Sequence, residues 1–192
     1  MSFNRDIQLD PNRVQTRSGG GRGAVIGGGS ILTVIAVVLI SQLTGVDLTS
    51  MLGAQQQTGT TTSTASSIDT SVCTSGDSAN KYTQCRMVAT AESLDAVWTE
   101  QLPAQAGLKY AKPEFVLWDG SQISSACGNA SSAVGPFYCS GDQTVYLDMS
   151  FFSEMERSLG ATDTPLAEEY IVAHEFGHHI QHLTGQMAKA DR

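Results

Sequence analysis

The pattern of apolar and polar positions predicts a folded C-terminal domain, preceded by an N-terminal part that does not form a domain of its own. Residues 1–22 are polar and end in glycines, which predicts a disordered tail. Residues 23–46 carry no charged side chain. Residues 47–72 are rich in Gln, Thr, Ser and Gly and predict a flexible linker, because they offer too little apolar surface to fold. The folded domain is expected over residues 73–192.

The uncharged segment predicts a transmembrane anchor. Its 24 residues, 23–46, can cross about 30 Å of hydrocarbon as a helix. A cleavable signal peptide or a buried helix are the alternatives, but the apolar run is long for a signal peptide and no clear cleavage site follows it. Arginines precede the segment and Asp47 follows it. The positive-inside rule therefore predicts a single-pass membrane protein with a cytoplasmic N-terminus and an extracytoplasmic main domain.

Within the domain, helical and alternating periodicities predict a mixed α and β structure. A run of small residues between the predicted strands is expected to form a loop. The predicted elements are a helix over residues 87–102 ended by Pro103, strands over 114–118 and 144–148, a loop over 121–136, and a helix over 151–159.

A further helix carries both a start and a stop signal. Thr164 can cap it, Pro165 suits its first position, and Gly185 marks its end. Apolar residues that recur at helical spacing predict its buried face, namely Leu166, Tyr170, Ala173, Gly177 and Ile180.

All four histidines of the chain lie in this helix, and two of them form the motif H-E-x-x-H. His174 and His178 are four residues apart, so their imidazoles lie on one side of the helix and can converge on one zinc ion. Glu175 is turned about 100° from His174. It is therefore free to take a proton from a water whose pKa the zinc lowers to about 7. The alternative is an ordinary solvated face, but ionisable side chains after an apolar turn are costly without a partner.

The other two histidines are expected to surround the site or lie on the surface. His182 is about 12 Å along the helix from His174, too far for both to bind one ion at about 2.0–2.1 Å. His179 points about 100° away from the preceding histidine. A metzincin extension is excluded, because Gln181 and Thr184 stand where its glycine and histidine would be.

Charge and cysteine content narrow the possible functions. The chain has 192 residues and a net charge of −8. Residues 1–22 contribute four arginines against two aspartates, or +2, so the remainder carries −10 and offers no basic face for nucleic acid. Four cysteines at positions 73, 85, 127 and 139 include no C-x-x-C, which favours two disulfides over a zinc knuckle. Pairing of neighbours is the simplest of three connectivities.

Three stretches, residues 127–139, 145–148 and 172–181, resemble the bacterial putative neutral zinc metallopeptidase family. The N-terminal part is also similar to that family, with an Arg- and Gly-rich tail, one membrane span and then Gly45-Val-Asp-Leu48. The resemblance implies an α+β, zincin-like domain with a short sheet packed on the HExxH helix, preceded by one transmembrane helix. It further implies His174 and His178 as zinc ligands, Glu175 as the catalytic base, and a peptide or protein substrate outside the membrane.

The resemblance also raises two expectations about residues outside the motif. Tyr146 lies on the strand that commonly lines the substrate cleft in zincins, although the preferred interpretation is a core residue. Family members continue into a second helix with an acidic third zinc ligand, whereas here 14 residues follow His178 and Asp191 is their only carboxylate. We therefore expect a truncated chain whose third ligand lies beyond residue 192. The alternative function is a non-catalytic, membrane-tethered module that binds cell-envelope partners.

Overall fold

The computed structural model describes residues 2–19, 68–120, 122–159 and 164–190. These residues belong to one compact unit. The predicted anchor, 23–46, and most of the predicted linker, 47–72, lie outside the described residues.

The described residues form six strands and five α-helices. The strands are β1 (Gln15–Gly19), β2 (Glu114–Gly120), β3 (Gln122–Ser125), β4 (Gly128–Ser131), β5 (Phe137–Cys139) and β6 (Thr144–Asp148). The helices are α1 (Gly76–Lys81), α2 (Thr83–Ala106), α3 (Phe151–Leu159), α4 (Pro165–Leu183) and α5 (Met187–Ala190). Two short 3₁₀ turns, Pro11–Arg13 and Ser132–Val134, precede β1 and β5. The α+β class is as predicted.

Four strands form one sheet in the order β1-β2-β6-β5. The first three are parallel, and β5 runs antiparallel along one edge. Strands β2 and β6 are buried on both faces, as strands covered on both sides are. One face packs on the helices, where Phe115 meets Phe176 of α4 edge-on with 6.1 Å between ring centroids. The other face packs on the β3–β4 hairpin.

The first predicted helix and the predicted loop both differ from the structure. Pro103 does not end its helix but lies in the last turn of α2, which continues to Ala106. Gly107, with a φ of 66°, ends the helix in the left-handed region and donates its N–H to the Pro103 carbonyl. The predicted loop over residues 121–136 contains the β3–β4 hairpin, which the disulfide Cys127–Cys139 ties to β5.

Both disulfides have the simplest of the three connectivities. Cys73 pairs with Cys85 and Cys127 pairs with Cys139, and no described cysteine is free. The prediction of two disulfides is confirmed. The first fastens the segment before α1 to α2, and the second holds β5 against the hairpin.

The N-terminal residues, predicted as a disordered tail, pack on the domain instead. Strand β1 lies parallel to β2, and Leu9 and Val14 are buried. The Arg13 guanidinium donates hydrogen bonds of 2.6 and 3.1 Å to the two oxygens of Asp95 on α2. Composition alone does not predict this docking, because it depends on contacts between the few apolar side chains of the segment and core residues distant in sequence.

The predicted membrane topology is corrected by the sheet. Among residues 2–19, 68–120, 122–159 and 164–190, no helix is long and apolar enough to cross a bilayer. Strands β1 and β2 are hydrogen-bonded neighbours, so residues 15–19 and the domain lie on the same side of any membrane. One crossing at residues 23–46 would separate them. The predictions of a transmembrane helix and a single-pass localisation are therefore wrong.

The bond between Arg13 and Asp95 provides a test of this docking. The pair is buried, with side chains only 10% and 5% exposed. Arg13→Ala should lower the free energy of unfolding by about 1.5–3 kcal/mol, because the buried carboxylate loses two charge-assisted hydrogen bonds and keeps only Lys112 and the Tyr110 hydroxyl as partners. Urea unfolding of the non-reduced protein measures this. Arg5→Ala is the matched control, since Arg5 pairs with Asp77 at the exposed surface, and its urea midpoint should stay unchanged. Equal midpoints for both variants would contradict the docked N-terminal segment.

Candidate metal centre

Helix α4 begins and ends where the sequence predicts. The Thr164 hydroxyl accepts a hydrogen bond from the Ala167 N–H at 3.2 Å, and Pro165 occupies the first turn. Thr184 caps the C-terminal end, and Gly185 follows with a φ of 70°. The two caps define where the helix starts and stops, and so set the position of the motif along it.

The buried face of α4 is not the predicted one. Leu166 and Tyr170 are 53% and 68% exposed, and the other three residues of the predicted stripe are only half-buried. The prediction fails because hydrophobic periodicity cannot register polar side chains that are buried with partners. The buried residues of α4 are Glu168, Val172, Glu175, Phe176 and His179.

An ion pair at the start of α4 shows how such burial is stabilised. The Glu168 carboxylate binds the Arg86 guanidinium of α2, and both side chains are almost fully buried. The Thr83 hydroxyl donates a second hydrogen bond to Glu168 at 3.3 Å. Because a buried charge is costly unless paired, this bond fixes α4 against α2 in one orientation.

The two motif histidines are neighbours on the outer side of α4. The ring centroids of His174 and His178 are 4.7 Å apart, with planes at 84°. His178 Nδ1 lies 2.9 Å from the Gln181 side-chain oxygen. Because an amide oxygen only accepts, Nδ1 carries the proton, and Nε2 of His178 keeps its lone pair. That nitrogen is then suited to bind a metal ion.

Glu175 lies on the buried side of the same helix, only 7% exposed. Burial raises the pKa of its carboxyl above the ordinary glutamate value, and the charges of His178 and His174 and a hydrogen bond from the Tyr138 backbone N–H act in the opposite direction. Glu175 therefore holds a proton more readily than an exposed glutamate. Such a group is suited to accept a proton and release it again.

A hydrogen-bonded network links β5 to the remaining histidines. His179 is fully buried, and its Nε2 lies 2.7 Å from the Ala111 carbonyl, which only accepts. Burial lowers the pKa of His179, so the ring is neutral and its Nδ1 accepts the Tyr138 hydroxyl proton at 3.0 Å. The Tyr138 oxygen then accepts from Nδ1 of His182 at 2.7 Å.

Tyr138 contacts the motif helix in two ways that are not apparent from the sequence. Its backbone N–H faces Glu175, and its hydroxyl orders the rings of His179 and His182. Burial and the nearby Asp142 charge raise the pKa of Tyr138 to about 12, so it stays protonated. A tyrosine in the short strand before Cys139 carries no sequence signal that could have revealed this.

Tyr146, considered as a cleft residue from the sequence, is a core residue. It is buried, stacks on Phe137 with 4.9 Å between ring centroids, and donates its hydroxyl proton to Asp142. It packs on the hairpin side of the sheet, whereas α4 packs on the other side. The strand beside the motif is the edge strand β5.

The described residues provide two candidate metal ligands and no third. Within these ranges, no group of three histidine, cysteine or carboxylate side chains lies close enough together to hold one metal ion. Asp191 lies outside the described residues. The roles of His174, His178 and Glu175 therefore stay predictions that the geometry accommodates.

A cavity of about 340 Å³ opens beside the motif. His174 and Glu175 form part of its wall. The rest is formed by the turn before β5, by the start of α3 and by the outer side of α4, with the residues Val134, Gly135, Pro136, Phe151, Tyr170 and Ile171. A substrate group bound there would lie next to the Glu175 carboxyl.

Comparison with known proteins places the chain among bacterial relatives. The uncharacterized protein Rv2575 of Mycobacterium tuberculosis is 44% identical over 152 residues, which cover 79% of this chain and 50% of that protein. The uncharacterized protein YpfJ of Escherichia coli K12 is 37% identical over 161 residues, covering 82% of this chain and 50% of that protein. The chain thus spans about half the length of the curated relatives it matches. No solved structure matches it significantly.

A family model gives the broadest match. The model described as "Putative neutral zinc metallopeptidase" matches residues 6–192, which include the motif helix, both disulfides and the docked N-terminal segment. The chain therefore belongs to the putative neutral zinc metallopeptidase family.

Proposed function

We propose that this chain is the motif-bearing part of a zinc-dependent peptidase that hydrolyses peptide bonds. His174 and His178 bind the zinc ion, and Glu175 acts as general base. The observation that carries the proposal is the pairing of two adjacent imidazoles on the outside of α4 with a buried carboxyl of raised pKa that shares a cavity with His174.

The donor set fits zinc. Neutral imidazole nitrogens are ordinary zinc ligands, and the bond from His178 to Gln181 leaves Nε2 of His178 free. A catalytic zinc generally takes three protein ligands and a water. We propose that the third ligand lies outside the described residues.

The chain's own residues account for the proton transfers of hydrolysis. When bound, zinc supplies Lewis acidity that makes water nucleophilic near neutral pH. Glu175 takes the proton of the attacking water and later delivers it to the nitrogen of the leaving amine. The Tyr138 backbone N–H holds the carboxylate in place through both steps, and the cavity beside it receives the substrate.

Zinc binding should depend on His174 and His178 and not on His182. In competition titrations with a chromogenic chelator, His174→Ala and His178→Ala should each abolish specific binding. His182→Ala should leave the affinity nearly unchanged, because Nδ1 of His182 is engaged with Tyr138 and its ring lies too far along the helix from His174. An equal loss in all three variants would refute this assignment of ligands.

Replacement of Glu175 should separate zinc binding from catalysis. Glu175→Gln keeps the size of the side chain but cannot take a proton, so zinc content should be normal and peptide cleavage lower by a factor of at least about 10². The assay compares three proteins: this chain, the longer mycobacterial relative, and the variant of that relative in which the glutamate corresponding to Glu175 is replaced by glutamine. Full activity in the Glu→Gln relative would remove this glutamate from the mechanism.

The Gln181 side chain should tune zinc affinity through His178. Gln181→Leu removes the acceptor that holds Nδ1, and zinc affinity should fall about 10–100-fold. Gln181→Glu should preserve the affinity, because a carboxylate also accepts this hydrogen bond. Gln186→Leu is the matched control at an exposed position of the same segment. An unchanged affinity in Gln181→Leu would show that the hydrogen bond does not orient the ligand.

A further inference from the structure

The cavity beside the motif is apolar over most of its wall. Val134, Pro136, Phe151 and Ile171 provide hydrocarbon or aromatic surface. Glu175 is the only carboxylate among the described residues that line it. Such a wall stabilises an apolar group through the hydrophobic effect and disfavours an anionic one.

The wall depends on a close approach that only glycine permits. Gly135 has a φ of 78°, and a Cβ added there would lie 3.1 Å from the Phe151 ring. The turn before β5 therefore lies directly against α3 and closes one side of the cavity. At about 340 Å³, the volume lies at the small end of ligand pockets, which span about 300–1,000 Å³. It suits one bulky side chain better than a long peptide segment.

Exposed apolar side chains gather around the mouth of this cavity. The described residues include seven exposed large hydrophobic side chains. Two of them, Val134 at 60% and Tyr170 at 68% exposure, line the cavity. A third, Leu166 at 53%, lies one turn before Tyr170 on α4. Clustered exposed apolar surface next to catalytic groups marks a binding site.

We infer that this cavity selects the substrate by binding a bulky apolar side chain, such as that of leucine or phenylalanine, next to the bond to be cut. The inference rests on the proposed function. The substrate carbonyl must reach Glu175 and the metal beside His174, and consecutive residues of an extended peptide are about 3.3 Å apart. A side chain flanking the scissile bond is therefore the substrate group that reaches the cavity, and an acidic side chain would meet the Glu175 carboxylate.

Three peptide hydroxamates that differ only in one side chain, isobutyl, hydroxymethyl or carboxymethyl, test the inference without catalysis. The hydroxamate binds zinc, and the side chain probes the cavity. Isothermal titration of the zinc-loaded chain should show the isobutyl compound binding at least about tenfold tighter than the hydroxymethyl compound, and the carboxymethyl compound weakest.

The same titrations on variants locate the preference. The double substitution Val134→Ser with Tyr170→Ser should reduce the isobutyl-to-hydroxymethyl ratio at least about threefold, because it removes apolar surface from the mouth of the cavity. Val97→Ser is the matched control, since Val97 is 51% exposed on α2 and does not line this cavity. Its ratio should equal that of the unmodified chain.

The possible failures are distinguishable. Tight but equal binding of all three hydroxamates would overturn the side-chain preference and leave the zinc site intact. Failure of the chain to bind zinc or any hydroxamate would overturn the proposed function and this inference with it. If the double variant instead converts a dimer to a monomer in light scattering and leaves the affinity ratio unchanged, the apolar mouth is an interface between copies, and the inference is wrong.

Discussion

The structure depends on the burial of polar side chains on the inner face of α4. Glu168 and His179 are almost completely excluded from solvent and Glu175 nearly so, and each would be costly without a partner. Arg86 and the Ala111 carbonyl bind the first two, and the Tyr138 N–H faces the third. Because these partners come from α2, the segment before β2, and β5, the helix has only one position in which all are satisfied.

That constraint explains why the two sides of α4 have different chemical roles. The inner side carries the hydrogen-bonded groups that fix the helix, including the carboxyl whose pKa burial raises. The outer side carries His174, which lines an open cavity, and its neighbour His178. A proposed metal ligand must remain reachable, whereas partial burial is what raises the pKa of the proposed base. A rotation of about 100° per residue turns Glu175 away from His174, and one further turn of the helix brings His178 back to the side of His174.

Much of the architecture follows from local sequence signals. The strand at 144–148, the helix at 151–159, the cap at Thr164 and the stop at Gly185 are predicted correctly, because each depends on neighbouring residues. The buried face of α4 is predicted wrongly, since its inward polar residues are stabilised by partners distant in sequence. Tyr138 could not be predicted for the same reason, because it lies on β5 and contacts His179, His182 and Glu175 of α4, which are distant in sequence. The membrane topology also fails for a non-local reason, because only the pairing of β1 with β2 shows that the N-terminal residues join the sheet.

The docked N-terminal segment extends this dependence to the motif itself. The Arg13 guanidinium binds Asp95 of α2 and also lies over the Phe176 ring, 5.8 Å from its centroid. Phe176 follows Glu175 in the motif and packs edge-on against Phe115 in the middle of the sheet. The side chain that anchors β1 therefore contacts the residue next to the proposed base. A cation over an aromatic face contributes about 0.5–2 kcal/mol depending on its solvation, and here the cation is buried with its carboxylate partner. Residues 2–19 are thus part of the support of the candidate centre, although they precede the motif by more than 150 residues.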